Sequence, residues 1–231
     1  MADRRPRSTR TATVLLDSPG QFSDLRTLLL IGKMEQTCLE TRTNYRLAEK
    51  IGEGGTSRVW RVCDGQDCSR IMRVTKIDSG VGIDLEGFED SVTIQKEFAI
   101  LEVSPKVFDC WICRPAGQFE YGVMIMEDAG RPLWNFADLE TEDLTRVLDL
   151  VATILDFIHE RDWYHGDVSP SNITLKKVDR SDEGFYVDLP DGLYRIYLID
   201  TDSSGQLSLA NYALIDENMK YWEMRRRLLD P

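Results

Sequence analysis

No stretch of this 231-residue chain approaches the ~20 consecutive apolar residues that a membrane span needs, so a membrane-embedded class is not expected. A surplus of positive charge is missing too. Lys and Arg number 28 against 40 Asp and Glu, and a formal net charge of −12 speaks against a broad nucleic-acid-binding surface, although a local basic patch remains compatible with it. A secretory h-region is the third absence, since the basic start MADRRPRSTR is not followed directly by an apolar run. The cysteines Cys38, Cys63, Cys68, Cys110 and Cys113 are therefore expected in a reducing intracellular compartment, cytoplasmic or nuclear. Cys63 with Cys68 and Cys110 with Cys113 have spacings that a four-thiolate zinc site could use if their loops met. Free buried cysteine is the commoner outcome and the one expected here.

What is present is globular. Hydrophobic residues make up 42% of the chain, enough to exclude wholesale disorder, and its length suits one substantial core or two small lobes sharing a cleft. Residues 1–44 read as an N-terminal extension: a flexible arm with Arg4, Arg5, Arg7 and Arg10, then a strand, a turn at Ser18-Pro19-Gly20 and a short helix. From Tyr45 the pattern changes to short strands, YRLAEKIG, SRVWRVCD and CSRIMRVTKI. Between the first two lie Gly52, Gly54 and Gly55, where the lack of a Cβ would let backbone N–H groups approach phosphate oxygens; an ordinary hairpin turn is the competing reading. SVTIQKEFAILEV reads as a helix with an apolar stripe of Ile94, Phe98, Ile100 and Leu101. ICRPAGQFEYGVMIMEDAG reads as two strands joined at Tyr121-Gly122. LETEDLTRVLDLVATILDFIHERDW is the clearest helix, with Leu144, Val147, Leu148, Val151, Ile154, Leu155 and Ile158 at spacings of three and four.

That helix delivers the chain to WYHGDVSPSNITL, Trp163 to Leu175. Asp167 is followed five residues later by Asn172, and after a polar hairpin Asp200 ends the apolar run Ile196, Tyr197, Leu198, Ile199. Phosphoryl transfer needs such a set: one carboxylate to orient and deprotonate the attacking hydroxyl, and oxygen ligands to hold Mg²⁺ against the phosphates. Between the strands ITLKKV and LYRIYLID lies a hydrophilic insertion, RSDEGFYVDLPDG, and a short helix from about Ile215 to Leu229 closes the chain.

In order along the chain, IGEGGTSRV, Glu97 in QKEFAIL, MIMEDAG, HGDVSPSN and Asp200 resemble the motifs of the protein-kinase fold. The resemblance covers about Tyr45 to Asp202. It implies an α+β, two-lobed fold with a small antiparallel β lobe over 45–128 and a reduced, mainly helical large lobe over 129–231. It also implies ATP and Mg²⁺ as cofactors. Ile51, Gly52, Gly54, Gly55 and Val59 would cover the nucleotide, Met126 would gate the back of the adenine pocket, and the backbones of Glu127 and Ala129 would bond the adenine edge. Asp167 would orient the substrate hydroxyl, and Asn172 and Asp200 would ligate the metal. The phosphate-contacting cation, paired to Glu97, has two candidates. Lys76 keeps the family's lysine, whereas Arg73 gives the better strand periodicity with arginine in its place. His165 is implied to be structural, and Asp202 an ordinary loop acid.

Departures bear on function. Gly166 stands where many protein kinases have arginine, so a site that needs no phosphorylated activation loop is implied, and Ser169 replaces the usual catalytic-loop lysine. HGDxSPxN also resembles aminoglycoside and choline phosphotransferases, but 37 residues between Glu127 and His165 are too few for their substrate-binding insertion. The missing Ala-Pro-Glu segment and later helices make the chain similar to minimal atypical kinases such as the KEOPS-complex kinase and haspin-like and viral kinases. The leading expectation is an atypical serine/threonine protein kinase with a protein substrate or regulatory protein partner. A pseudokinase serving as a binding module comes second, and a small-molecule phosphotransferase third. Oligomeric state is not legible.

Overall fold

The computed structural model describes residues 35–40, 45–78, 83–114, 120–179, 183–207 and 211–230. The arm, strand, turn and short helix expected before residue 35 lie outside them. Helical residues 35–40 (α1) precede a five-stranded antiparallel sheet of β1 (Arg46–Glu53), β2 (Ser57–Asp64), β3 (Asp67–Ile77), β4 (Val107–Cys113) and β5 (Glu120–Glu127), in the order β1-β2-β3-β5-β4. Alternation along β3 decides what each face carries. Met72 and Val74 join Cys38, Leu39, Val62, Trp111, Val123 and Ile125 in a core under α1, while Ile71, Arg73 and Thr75 lie on the other face. There α2 (Leu85–Ile100) packs Phe88 and Val92 against Met124.

α2 starts where Asp84 caps it, its carboxylate accepting from the Gly87 N–H at 2.8 Å, six residues before the expected start. Its buried face is Phe88, Ser91, Val92, Gln95, Phe98 and Ala99; of the expected stripe, Phe98 is buried and Ile94 and Leu101 pack against the core, whereas Ile100 is 72% exposed. Two of those buried positions are polar and so masked the true period. Tyr121 and Gly122 do not form a turn. They lie inside β5, paired with Cys113 and Ile112, and a Cβ on Gly122 would run into the Phe88 ring.

The second half is built on α3 (Thr141–His159), whose Val147, Leu148, Val151, Ile154, Leu155 and Ile158 are buried against a four-stranded sheet and the last helix, α4 (Asn211–Leu229). That sheet holds β6 (Arg131–Pro132), β8 (Ile173–Val178), β9 (Tyr186–Leu189) and β10 (Gly192–Leu198), in the order β6-β8-β10-β9. The hydrophilic insertion is thus not all loop, because it carries β9 against β10. β7 (Trp163–Tyr164) pairs with β11 (Gly205–Gln206) on either side of the acidic loop. The molecule is α+β, with mainly antiparallel sheets and four helices among the described residues. No described helix is long and apolar enough to cross a membrane.

The cysteine expectations are overturned. Cys38 on α1 is bonded to Cys113 on β4, and Cys63 to Cys68 across the β2–β3 hairpin, leaving Cys110 as the one free thiol. A thiolate quartet for zinc is therefore not available. Disulfides persist where the surroundings oxidise, so cysteine usage no longer argues for a reducing compartment.

Candidate active site

The stretch Trp163–Leu175 is held from below by one buried carboxylate. Glu217 on α4 is fully buried, and its Oε1 accepts from the N–H groups of His165 (2.8 Å) and Gly166 (2.9 Å), while Oε2 meets His159 Nε2 at 2.8 Å. Lys220, one turn on, donates to the Gly166 carbonyl at 2.9 Å. Gly166 itself has φ +81°, and a Cβ there would collide with the Ser203 carbonyl, so both backbone conformation and space demand glycine. His165 is also fully buried. Its Nε2 meets the Ile199 carbonyl at 2.9 Å, and its Nδ1 has no partner. Burial lowers its pKa despite the nearby Glu217, so it is a neutral strut rather than a proton carrier.

With the loop fixed, Asp167 faces outward and Asn172 lies beneath it. The Asn172 amide donates to the Asp167 carbonyl (3.0 Å) and to its Oδ2 (2.7 Å), leaving Asn172 Oδ1 without a hydrogen bond among the described residues. The Asn172 carbonyl accepts from the Ile199 N–H at 2.9 Å, which brings Asp200 alongside. Asp200 adopts the left-handed conformation (φ 64°, ψ 68°), uncommon for a residue with a Cβ and a mark of a constrained site. It is held there by Thr201, buried against α2 through the Ser91 carbonyl (3.4 Å) and Gln95 Oε1 (3.3 Å).

From β3 of the five-stranded sheet, Arg73 is the cation that arrives. Its side chain, 11% exposed, forks onto both oxygens of Asp202, with Nη1 to Oδ1 at 2.9 Å, and gives a single bond to Asp200 Oδ1 at 3.0 Å. Its Nε donates to Ser57 Oγ at 3.3 Å, at the end of the glycine turn. Burial disfavours the guanidinium charge, but Asp202 and then Asp200 more than offset that and hold its pKa above the ordinary value. For Asp200, burial raises the pKa, Arg73 opposes the rise, and the neighbouring Asp202 and Asp167 charges add to it.

Lys76, the alternative cation, sits on the opposite face in register with Tyr121 and pairs with Asp78 at 2.8 Å. The two-residue period of the strand makes it impossible for both cations to face the acids. Glu97 is corrected as well. It lies on the exposed side of α2, and the residues that α2 turns toward the acidic loop are Ser91, whose Oγ donates to Asp202 Oδ1 at 2.7 Å, and Gln95. Asp202 is accordingly no ordinary loop acid.

The glycine turn is open. The Gly54 N–H closes it onto the Ser57 carbonyl at 2.8 Å, yet a Cβ on Gly55 would meet nothing within 4 Å, so the fold itself does not require glycine there. Ile51 is 44% exposed, and Gly52 is in register with Val59, which shares a row with Arg73 and Met124. Met126 and Ile71 form the next row. Beyond them the Glu127 N–H is spent on the Lys106 carbonyl (2.8 Å), and its carboxylate points away to Lys176 (2.8 Å) and the Tyr197 hydroxyl (3.0 Å). Burial alone would raise the Glu127 pKa, but Lys176 and Tyr197 hold it below the usual range. Ala129 is buried just after the strand, next to Gly130.

The donor set suits a hard divalent cation brought in with phosphates. Among the described residues no three His, Cys, Asp or Glu side chains form a metal cluster alone. Mg²⁺, however, takes one or two carboxylates and completes its shell with water and phosphate oxygens. Asp200, which takes a single bond from Arg73, and the unbonded Asn172 Oδ1 are oxygens of that kind. Sequence reasoning missed Glu217, Ser91 and Asp202. Glu217 was findable, because it falls on the stripe with Tyr221 and Met224 that buries α4.

Two curated proteins are similar to this chain. "Probable serine/threonine-protein kinase FPV212" of fowlpox virus is 29% identical over 170 residues, 67% of this chain and 55% of that protein. "Putative serine/threonine-protein kinase K06H7.1" of Caenorhabditis elegans is 25% identical over 170 residues, 68% of this chain and 45% of that protein. The chain thus spans about half the length of the curated relatives it matches. No protein-family model matches it. The likeness supports a protein-kinase-like relationship, and the α+β architecture is compatible with a small kinase-like fold.

Proposed function

We propose that the chain is an ATP-dependent phosphotransferase, an atypical serine/threonine protein kinase acting on a protein substrate. The observation that carries this reading is the convergence of Arg73 from one sheet with Asp200, Asn172 and Asp167 from the other half of the molecule. On this reading the five-stranded sheet with α2 is a small lobe (45–128) and the remainder (129–231) a reduced large lobe. The nucleotide lies between them, under Ile51 to Val59 and against Met126, Glu127 and Ala129. Bound Mg²⁺ would neutralise phosphate charge as the γ-phosphoryl group leaves. Asp200 and the Asn172 amide oxygen would hold that cation, and Arg73 would contact the phosphates. Asp167, outward-facing yet fixed by Asn172, would orient the substrate hydroxyl and accept its proton.

A binding module that transfers nothing is the second reading. One observation favours it: the Arg73 fork is already occupied by two carboxylates. Turnover separates the two. Purified protein should transfer phosphate from Mg-ATP, and Asp167→Ala should lose about 10²–10⁴-fold in rate while still binding nucleotide, as expected when a general base is removed. Nucleotide binding with no turnover in the unaltered chain would establish the module instead.

A further inference from the structure

The Arg73 contacts are unequal, and the inequality suggests how the site works. Asp202 takes the guanidinium with both oxygens and is itself fixed by a third bond from Ser91 on α2, its side chain 24% exposed. Asp200 takes a single bond with one oxygen, and its side chain is 47% exposed. A forked, hydrogen-bonded and partly desolvated pair is hard to replace, whereas a single contact from a half-exposed carboxylate exchanges readily. Glu97, on the outer side of α2, reaches neither. Gln95, the next inward residue of α2, is tied to Ser104 (2.9 Å) and meets Thr201, so it braces the loop without touching the cation.

We infer that Asp202, braced by Ser91, is the positioning residue that anchors Arg73 throughout the reaction, and that Asp200 is the exchangeable partner that leaves Arg73 for the metal when Mg-ATP enters. The inference rests on the phosphotransferase reading. Helix α2 would thus be coupled to the phosphates by an acid of the loop and a hydroxyl of the helix, with no helix carboxylate involved. The free Arg73 contact passes from Asp200 to phosphate oxygen, and the fork on Asp202 fixes the direction in which the guanidinium points.

The test uses the full chain with Asp202→Asn, Ser91→Ala and Glu97→Gln, measuring Mg-ATP affinity by calorimetry, KM and kcat for ATP, and thermal unfolding without nucleotide. Coupling energies between contacting groups convert to about tenfold or more in affinity. Asp202→Asn is expected to weaken Mg-ATP by that factor and to raise KM for ATP, and Ser91→Ala to do so by less. Glu97→Gln should bind as the unaltered chain does, and Asp202→Glu should restore part of the loss. Unfolding of Asp202→Asn and Arg73→Ala should be non-additive in the double variant, since each single change removes the same contact. Undiminished affinity in Asp202→Asn, or an equal loss in Glu97→Gln, would overturn the proposal. If the unaltered chain binds no Mg-ATP, the phosphotransferase reading falls and takes the anchor role with it. The unfolding cycle would still report whether the Arg73–Asp202 pair exists.

Discussion

The stretch Trp163–Ile173 and the glycine turn Gly52–Ser57 are linked through Arg73, which bonds Ser57 on one side and Asp200, next to the Asn172-bonded Ile199, on the other, but they are built in opposite ways. The first is fastened from behind: His165 is fully buried, Asn172 is 7% exposed, and Glu217 bonds two successive backbone N–H groups. The second closes on one backbone bond, from Gly54 to Ser57, with open space around Gly55. On the phosphotransferase reading, a fastened loop carrying the acid and the metal's oxygen ligands would meet a cover that has contacts to gain from a ligand. Such a division suits phosphoryl transfer, where positioning supplies most of the catalysis. Gly166 fits the same picture: with no side chain it tucks under Ser203, where any Cβ would collide with the carbonyl.

The contrast can be broken most forcefully at Glu217. Glu217→Ala would orphan the N–H groups of His165 and Gly166 in a buried site, and the expected loss is about 3–5 kcal/mol of stability in denaturant unfolding, typical of breaking a buried charged network. Glu217→Gln retains an oxygen for both N–H groups and should lose much less. Equal losses would mean that charge, rather than backbone fastening, is what the loop requires.

A smaller effect tests the same side by pH. The buried imidazole of His165 has its pKa lowered from 6.5. The unfolded chain therefore binds a proton that the folded chain refuses, so the stability contribution is present above about pH 6.5 and is lost as pH falls toward the folded value. Each unit of lowering corresponds to about 1.4 kcal/mol. Melting temperature should drop on going from pH 7 to pH 5.5, and His165→Gln, although less stable at pH 7, should lose the part of that slope that His165 supplies. An unchanged slope would place the acid sensitivity elsewhere.

The smallest stability effect belongs to the glycine turn. With nothing within 4 Å of an added Cβ, Gly55→Ala should shift unfolding by no more than about 0.5 kcal/mol. Mg-ATP affinity should nevertheless fall, because the methyl group stands where phosphate oxygens would meet backbone N–H groups. A variant that melts and binds as the unaltered chain does would remove the turn from the site.

How much of this was legible in the sequence followed from how local each signal was. α3 was plain because seven apolar residues from Leu144 to Ile158 keep one helical period, and the strands β1 to β3 were plain from their turn residues. Asp167, Asn172 and Asp200 stand out by their spacing, and the structure brings them together through the Asn172–Asp167 and Ile199–Asn172 bonds. Between Arg73 and Lys76 the sequence is divided, strand alternation pointing to the first and lysine chemistry to the second; the register sets Arg73 beside Met124 and Lys76 beside Tyr121 on the opposite face. The failures involve contacts between distant segments. Glu97 looked like the partner of the cation because a glutamate was expected on α2, but only the packing of Phe88 and Val92 reveals that Ser91 and Gln95 face inward. Asp202 acquires its importance from a residue 129 positions earlier, and Glu217 from backbone groups more than 50 positions earlier. Nor does any local pattern announce that Cys38 bonds Cys113, 75 residues on.

Whether Asp200 and its neighbours hold a divalent cation with ATP is read directly by a calorimetric titration of ATP, with and without Mg²⁺, into the unaltered chain and Asp200→Asn. The unaltered chain should bind ATP far more tightly with Mg²⁺ than without, and Asp200→Asn should lose that difference. The raised pKa of Asp200 means that its ionised form costs the ligand-free fold stability above about pH 4, so Asp200→Asn should also melt no lower than the unaltered chain at pH 7. Binding that ignores Mg²⁺, or an Asp200→Asn variant that keeps the full Mg²⁺ dependence, would contradict the account.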